Sequence, residues 1–362
     1  MRNRSISLVF SILLVCLVPQ TSQPCTTFCL DHADQPIFGK NYDWAVEDGL
    51  AIINKRGVSK TALPSSGTDF GRPARWTSKY GSITFNQYGR ELPMGGVNEA
   101  GLVVESMMLA KTEYPAPDSR PSISSLQWIQ YQLDNFSKVE EVIASDSQLR
   151  IRPERGPGIH YLVCDRMGEC ASVEFLHGNM VVHTNKSMPV KTLTNSTYAE
   201  SIEYLKRHDG SGGELPILGS ENSLDRFGRA ASMVKNYDPK TQQSAVGYAF
   251  DILKDVRSYL ATQWSIVYDI QNLRVYFRTL RNQQIRYIDL KPFDLACAKP
   301  VKVLHTCADL SGDVTDNFID YTQEINRNLI GNAFRKTDFL NNVPEESLDN
   351  IARYPESTVC TR

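Results

Sequence analysis

A cysteine and an aspartate in two adjoining segments are the residues of this sequence best placed to do chemistry. Cys25 opens a segment that alternates and becomes apolar up to residue 30, and Asp43 follows a second such segment at residues 36–42. Turn-forming residues lie between the two segments, so the pattern predicts a β-hairpin. A hairpin of this kind brings Cys25 close to Asp43 and to the cation Lys40.

The 24 residues before Cys25 have the order of a secretory signal peptide. Residues 1–4 carry two arginines and no acid, residues 6–18 are almost entirely apolar, and residues 19–24 form a polar tail. The apolar run is too short to span a bilayer comfortably. We predict that residues 1–24 are removed by cleavage in the tail and self-removal of what remains. The mature protein is then expected to be secreted or periplasmic, without a lipid anchor, and to begin at Cys25.

A cysteine with a free α-amine carries its own base. The α-amino group has a pKa of about 7.7–8.0 and the thiol of about 8.5, so the amine can accept the thiol proton and later pass it to a leaving amine. A nearby cation such as Lys40 favours the thiolate and lowers the pKa of the amine. Asp43 is the acid placed to orient the amine. The alternative is that Lys40 and Asp43 belong to an ordinary surface strand pair.

The cysteine count agrees with an oxidising compartment and one unpaired thiol. Eight cysteines are present, and loss of Cys16 with the leader leaves an odd number. If Cys25 is the unpaired one, six cysteines remain for three bridges. The pairing that we predict is Cys164 with Cys170 across a hairpin turn, Cys297 with Cys307, and Cys29 with Cys360. The alternative is that all seven are ordinary buried or bridged cysteines.

The distribution of predicted elements indicates an α+β fold. Strands occur in runs at both ends of residues 25–297, and helices are grouped between them, which differs from a repeating βα pattern. Residues 94–101 are predicted to form a tight turn. From about residue 298 the composition changes, and helices are predicted at 316–335 and 345–353. We therefore predict a main domain at 25–297 and a small helical extension at 298–362 that packs on it.

Charge and histidine spacing argue against nucleic-acid and metal sites. The chain has 39 basic and 41 acidic residues, with no long basic run and no basic–aromatic interleaving. Its histidines form no HExxH motif and no paired spacing, so no metal or other cofactor is predicted. No window after the leader is apolar enough to cross a membrane. The histidines are His32, His160, His177, His183, His208 and His305.

The motifs of the chain resemble those of a known family. Cys25-Thr26-Thr27 followed by Phe38-Gly39-Lys40-Asn41-Tyr42-Asp43 is similar to the opening of the choloylglycine hydrolase and penicillin V acylase family. These are N-terminal-nucleophile (Ntn) hydrolases, so the resemblance implies a four-layer αββα sandwich. Lys40 stands where the family usually has arginine, which keeps the charge but loses the planar, bidentate fork.

Further motifs follow in the family's order and imply the rest of the site. Residues 97–102 are similar to the family's Asn-Glu-x-Gly-Leu turn, and the strand after it places Met108 at an oxyanion position, acting through its backbone N–H. Residues 193–196 resemble a Thr-Asn-Ser segment that makes Asn195 the side-chain oxyanion donor. Residues 223–227 resemble a Ser-Arg-Phe helix start that places Arg226 near the nucleophile.

The resemblance implies hydrolysis of a linear amide by an N-terminal cysteine. The small-molecule substrates expected are conjugated bile salts, penicillin V, N-acyl homoserine lactones or other fatty N-acyl amides, and the family often forms homotetramers. Loops at 56–80 and 210–222 are predicted to select the substrate. Three alternatives stay open: a papain-like thiol hydrolase, an acyltransferase to an amine acceptor, and a secreted binding protein that keeps the fold without activity.

Overall fold

The computed structural model describes residues 24–30, 35–64, 71–154, 156–208, 213–240 and 244–361. Most of the predicted leader, the tip of the predicted hairpin and parts of both predicted substrate loops lie outside these residues.

The strands run the length of the described chain. In chain order they are β1 (Thr26–Leu30), β2 (Ile37–Asp43), β3 (Leu50–Asn54), β4 (Val58–Thr61), β5 (Arg75–Thr77), β6 (Ser82–Asn86), β7 (Pro93–Asn98), β8 (Val103–Met108), β9 (Ser122–Ile123), β10 (Arg150–Ile151), β11 (Ile159–Cys164), β12 (Cys170–Leu176), β13 (Asn179–Thr184), β14 (Thr192–Leu193), β15 (Thr262–Asp269), β16 (Arg274–Thr279), β17 (Arg286–Asp289), β18 (Lys302–His305), β19 (Gly312–Asp313), β20 (Ile319–Asp320) and β21 (Val359–Cys360).

The described α-helices lie in three groups along the chain, at residues 125–144, 198–255 and 323–353. They are α1 (Ser125–Asn135), α2 (Val139–Ala144), α3 (Tyr198–Arg207), α4 (Ser223–Lys235), α5 (Ala245–Asp255), α6 (Gln323–Arg335) and α7 (Glu345–Arg353). Short 3-10 turns occur at Ser145–Ser147, Asn185–Ser187, Thr315–Asn317 and Tyr354–Ser357.

Two large sheets stack face to face, and helices cover both outer faces. One sheet has the order β14-β1-β2-β15-β16-β17-β19, and the other has the order β13-β12-β11-β8-β7-β6-β3-β18-β20. Phe28 on the outer face of the first sheet packs with Phe250 of α5, and Trp128 of α1 lies 4.3 Å, centroid to centroid, from Tyr161 on the second. The fold is therefore an α+β, four-layer αββα sandwich.

The predicted hairpin lies within the seven-stranded sheet, with one of its faces turned to the interior between the two sheets. β1 and β2 pair antiparallel with Thr26 opposite Asn41, which confirms the hairpin, and both strands are buried along their whole length. Cys25, Phe38 and Tyr42 face the same core as residues of the nine-stranded sheet, such as Phe85. The start of β1 and the end of β2 thus lie inside the protein, at one end of the sandwich interior.

The predicted tight turn at residues 94–101 is largely wrong. Pro93–Asn98 is strand β7, and only Glu99 and Ala100 form the turn into β8. Gly95 and Gly96 fit this strand because neighbouring strands approach them too closely for a side chain. A Cβ atom at Gly95 would lie 2.1 Å from the side-chain carboxyl carbon of Glu105, and one at Gly96 would lie 2.4 Å from the carbonyl oxygen of Ile83. Glycine is what allows β7 to lie this close to β6 and β8.

One predicted disulfide is confirmed and two are wrong. Cys164 and Cys170 are bridged across the β11–β12 hairpin. Cys297 pairs with Cys360, not with Cys307, so Cys29 is not joined to Cys360. The strand β21 explains why Cys360 reaches Cys297. It pairs the chain end with β4, next to the isolated β-bridge between Arg56 and Ala296, the residue before Cys297.

Residues 298–361 contribute strands as well as helices. β18 lies within the nine-stranded sheet beside β3, and β20 pairs with β18. The helix predicted at 316–335 begins later, at Gln323, where the Thr322 side chain accepts a hydrogen bond from the N–H of Ile325 as a cap. The extension also contacts the core near the hairpin, because the Phe339 ring lies edge-on to that of Trp44.

Candidate active site

Cys25 lies at the start of β1, buried between the sheets. Its side chain is 3% exposed, and its thiol donates to the backbone oxygen of Asp43 at 3.8 Å. Burial raises the pKa of the Cys25 thiol above its ordinary value, while the charge of Lys40 opposes the rise. A thiol in this position is a poor nucleophile until a base takes its proton.

Asp43 presents a buried carboxylate that accepts no well-formed hydrogen bond from the described residues. It is fully buried, and neither carboxylate oxygen has a hydrogen-bond partner of acceptable geometry among the described residues. Burial raises the pKa of Asp43 to about 7, against the influence of the Thr262 hydroxyl and the charges of Arg226 and Lys40. Buried carboxylates normally accept well-formed hydrogen bonds, so the Asp43 carboxylate has the capacity to accept further donors.

Lys40 also points into the sandwich. It is 1% exposed, and its ammonium donates to the backbone oxygen of Ser106 on β8. The Glu105 carboxylate on the same strand lies 3.9 Å from Nζ and accepts a hydrogen bond from the Tyr268 hydroxyl. Burial raises the pKa of Glu105 to about 7, and the charge of Lys40 opposes the rise. Lys40 and Asp43 are therefore not a surface strand pair.

Glu105 and Tyr268 were not predicted from the sequence. Glu105 is the one acid in the apolar run at 102–109, and an acid in a buried strand signals a charged partner. The sequence does not show which cation that is, because Lys40 and Glu105 are on strands of different sheets. Glu105 thus provides Lys40 with a counterion, and Ser106 provides it with a backbone acceptor.

Arg226 of α4 joins Cys25 to the segment that carries Asn195. Its Nη1 donates to the backbone oxygen of Cys25 and to Thr26 Oγ1, the latter at 2.7 Å, and its Nη2 donates to Asn195 Oδ1 at 2.8 Å. The guanidinium is fully buried, and burial lowers its pKa to about 10 despite the charges of Asp43 and Cys25. The planar fork suits this role because it satisfies acceptors on two elements at once.

Asn195 is fixed at both ends of its side-chain amide. Oδ1 accepts from Arg226, and Nδ2 donates to the backbone oxygen of Met108 at 2.9 Å. An amide nitrogen carries two N–H groups, so one remains for an oxyanion. The contact made by Met108 is through its carbonyl, and its predicted role as a backbone N–H donor stays a prediction.

The structure joins five of the six predicted residues through hydrogen bonds, and it places the sixth, Lys40, close enough for its charge to act on the Cys25 thiol. Arg226 bridges Cys25 and Asn195, Asn195 contacts Met108, and Cys25 contacts Asp43. Lys40 completes the group through its electrostatic effect on the thiol.

The described part of the chain contains one group of three potential metal ligands and no helix suited to crossing a membrane. The sulfur atoms of Cys29, Cys164 and Cys170 are the one set of potential metal ligands there that lie close together. Two of these sulfurs form a disulfide, and a bridged sulfur lacks the thiolate charge that binds metals. None of the described helices combines the length and apolarity needed to span a bilayer.

Comparisons with known proteins agree on one family. A family model described as "Linear amide C-N hydrolases, choloylglycine hydrolase family" matches residues 25–303. The penicillin V acylase of Pectobacterium atrosepticum is 28% identical over 340 residues, which cover 82% of this chain and 88% of that protein.

Solved structures give the same result for the fold. The penicillin V acylase from Agrobacterium tumefaciens has a TM-score of 0.70 at 25% identity and covers 82% of this chain and 98% of its own. A variant of the conjugated bile acid hydrolase from Clostridium perfringens has a TM-score of 0.63 at 22% identity, with coverage of 77% and 96%. The second likeness shows the fold alone, and together they confirm the sandwich that the resemblance implied.

Proposed function

The chain belongs to the choloylglycine hydrolase family of linear amide C–N hydrolases, and we propose that it cleaves an N-acyl amide with Cys25 as an N-terminal nucleophile. The observation that carries this proposal is the buried Asp43 carboxylate, whose oxygens accept no well-formed hydrogen bond from the described residues. In the β1–β2 register, Thr26 lies opposite Asn41, and the Cys25 thiol contacts the backbone oxygen of Asp43, so we infer that the nitrogen of Cys25 lies near the Asp43 carboxylate. Removal of the preceding residues would turn that nitrogen into an α-ammonium, which supplies both donors and charge.

The α-amine would then act as the base for the thiol. In its neutral form it takes the proton from the Cys25 thiol, and the sulfur attacks the amide carbonyl carbon to form a C–S bond. Lys40 favours the thiolate, because its positive charge lowers the pKa of the Cys25 thiol. Asp43 orients the amine and stabilises its protonated form.

The oxyanion would be stabilised by two N–H donors. These are the second N–H of the Asn195 side chain and the backbone N–H of Met108. Donors of this kind each contribute about 2.7–4 kcal/mol to transition-state stabilisation. The α-ammonium gives its proton to the leaving nitrogen as the C–N bond breaks, and water then cleaves the thioester to release the acid and restore the thiol.

Exposure of the α-amine requires removal of residues 1–24, and we extend the proposal to that step. The signal-peptide pattern at 1–24 supports export, so the mature enzyme is secreted or periplasmic. The family model begins to match at Cys25, which supports the same mature N-terminus.

The substrate class proposed is a small N-acyl amide, and penicillin V is the first compound to test. The relatives that are 28% and 25% identical are both penicillin V acylases. Conjugated bile salts, N-acyl homoserine lactones and fatty N-acyl amides complete the panel, because all contain a linear amide. An oligomer, such as the expected homotetramer, remains part of the proposal.

The test is hydrolysis of this panel by the secreted protein and two matched cysteine variants. Cys25→Ala should abolish release of acid and amine, whereas Cys307→Ala, which changes a half-buried thiol elsewhere, should leave the rate unchanged. Hydrolysis that persists in Cys25→Ala would overturn the assignment of the nucleophile. A wild-type protein that binds members of the panel without cleaving them would indicate a binding protein.

A further inference from the structure

A buried histidine–glutamate pair lies next to the segment that carries Asn195. His160 on β11 and Glu174 on β12 are both fully buried, and Nδ1 of the ring lies 3.2 Å from Glu174 Oε1. The other ring nitrogen, Nε2, lies 2.7 Å from the backbone oxygen of Thr194. The sequence pattern had indicated only an ordinary surface or core histidine at this position.

The two contacts of the ring define what the pair does. The Thr194 carbonyl can only accept, so Nε2 must carry a proton and donate it. Nδ1 faces the Glu174 carboxyl at hydrogen-bond distance, so the ring contacts the Thr194 carbonyl on one side and the Glu174 carboxyl on the other. The two side chains are buried together, so loss of either one leaves the other without this hydrogen bond.

Both members of the pair hold the backbone on either side of Asn195. His160 donates to the carbonyl of Thr194, and Glu174 Oε1 accepts the backbone N–H of Tyr198 at 2.8 Å. These bonds join the start of α3 and the residue before Asn195 to the nine-stranded sheet. The same strand β11 pairs Ile159 with Met108, so both predicted oxyanion donors are positioned from one strand.

We propose that His160 and Glu174 are positioning residues that hold the Asn195 side chain in its oxyanion-binding place. The inference rests on the proposed function, because it assigns a role to Asn195 in that reaction. Arg226 and Met108 fix the amide group of Asn195, while the histidine–glutamate pair fixes the backbone from which that side chain extends. A shift of about 1 Å in such a group can lower a rate by about 100-fold.

The first measurement is hydrogen exchange of the segment, which does not depend on activity. His160→Leu and Glu174→Gln should each speed amide exchange in residues 192–198, because the bonds that hold this segment to the sheet are lost or weakened. His160→Gln should restore slow exchange in part, since its side-chain amide can donate to Thr194. His183→Leu is the matched control, because His183 on the neighbouring strand β13 packs its ring 5.0 Å from that of Tyr198 at the start of α3. This variant removes a ring contact but keeps the hydrogen bonds to Thr194 and Tyr198, so it should speed exchange less than His160→Leu.

The second measurement separates kcat from KM. His160→Leu should lower kcat roughly 10- to 100-fold with KM nearly unchanged, and His160→Gln should recover part of the loss. In an Asn195→Ala background, His160→Leu should cause little further loss, because its effect acts through Asn195. If His160→Leu does not fold, Glu174→Gln provides the same comparison.

The outcomes are distinct from those that test the proposed function. Unchanged exchange in residues 192–198 in the folded variants would overturn the inference, as would an equal loss of kcat with and without Asn195. If the wild-type protein hydrolyses no amide, the proposed function fails, and the exchange measurement alone decides whether the pair holds the segment.

Discussion

Removal of the residues before Cys25 should change how the stability of the fold depends on pH, because the proposed mechanism pairs Asp43 with the nitrogen that becomes charged. The perturbation compares two chains that both carry Cys25→Ala, so that neither can process itself. One chain begins at position 25 with a free α-amine, and the other retains Ser22, Gln23 and Pro24. Apart from these three residues the chains are identical.

The expected magnitude follows from the carboxylate in the unprocessed chain. Burial raises the pKa of Asp43 from 3.8 to about 7, so the folded chain keeps a proton that the unfolded chain has already lost. The folded state is therefore favoured below about pH 4 and loses stability as the pH rises to about 7. At 1.36 kcal/mol for each pKa unit, this loss is about 4 kcal/mol. An α-ammonium beside Asp43 would lower its pKa and remove most of the loss.

The assay is urea unfolding of both chains between about pH 4.5 and 7.5. The extended chain should lose several kcal/mol more free energy of unfolding over this range than the trimmed chain. Glu105, whose pKa burial also raises to about 7, contributes equally to both chains and cancels in the difference. Asp43→Asn should make the two profiles parallel. Parallel profiles without that substitution would refute the pairing of Asp43 with the α-amine.

Three further predictions concern the cations of the site and the second disulfide. Arg226→Lys keeps the charge, but one ammonium cannot replace the guanidinium that donates to both Cys25 and Asn195, so kcat should fall roughly 10²- to 10³-fold. An unchanged kcat would argue against this bridging role of the guanidinium. Lys40→Met removes a charge that lowers the pKa of Cys25, so that pKa, measured from the pH dependence of alkylation, should rise, and a constant value would contradict the role of Lys40. Replacing Cys297 and Cys360 by serine removes a disulfide with a sequence separation of 63. This double substitution should lower the free energy of unfolding by roughly 4 kcal/mol and leave kcat unchanged. Cys307→Ser is the control, and equal stability of the double variant and the control would contradict this estimate.

Local sequence signals predicted the hairpin but not its surroundings. Alternation and turn residues are local properties, so β1 and β2 could be placed, and with them Cys25 and Asp43. Asn195 and Arg226 lie far from Cys25 in the chain, and only the order of family motifs assigned them to one site. No local signal shows that Lys40 and Glu105 meet, because contacts between facing sheets have no sequence period.

Some signals were present in the sequence but were not used. Thr197 and Glu200 form a capping box at the start of α3, and a Thr-x-x-Glu pattern of this kind is a sequence-level sign of a helix. The prediction for residues 94–101 included Gly95 and Gly96 in a turn, whereas the close approach of β6 and of Glu105 is what requires these two glycines. The partner of Cys360 depends on a strand that forms only when the chain end returns to β4, which sequence alone does not reveal.

The most direct test of the central claim is the intact mass of the purified secreted protein, with and without brief iodoacetamide treatment under native conditions. We predict a chain that begins at Cys25 and gains one fast adduct at that residue. Cys307 should react slowly, because burial raises its pKa to about 11. A chain that still carries Ser22-Gln23-Pro24, with Cys25 unreactive, would contradict the N-terminal nucleophile and favour a binding protein on the same fold.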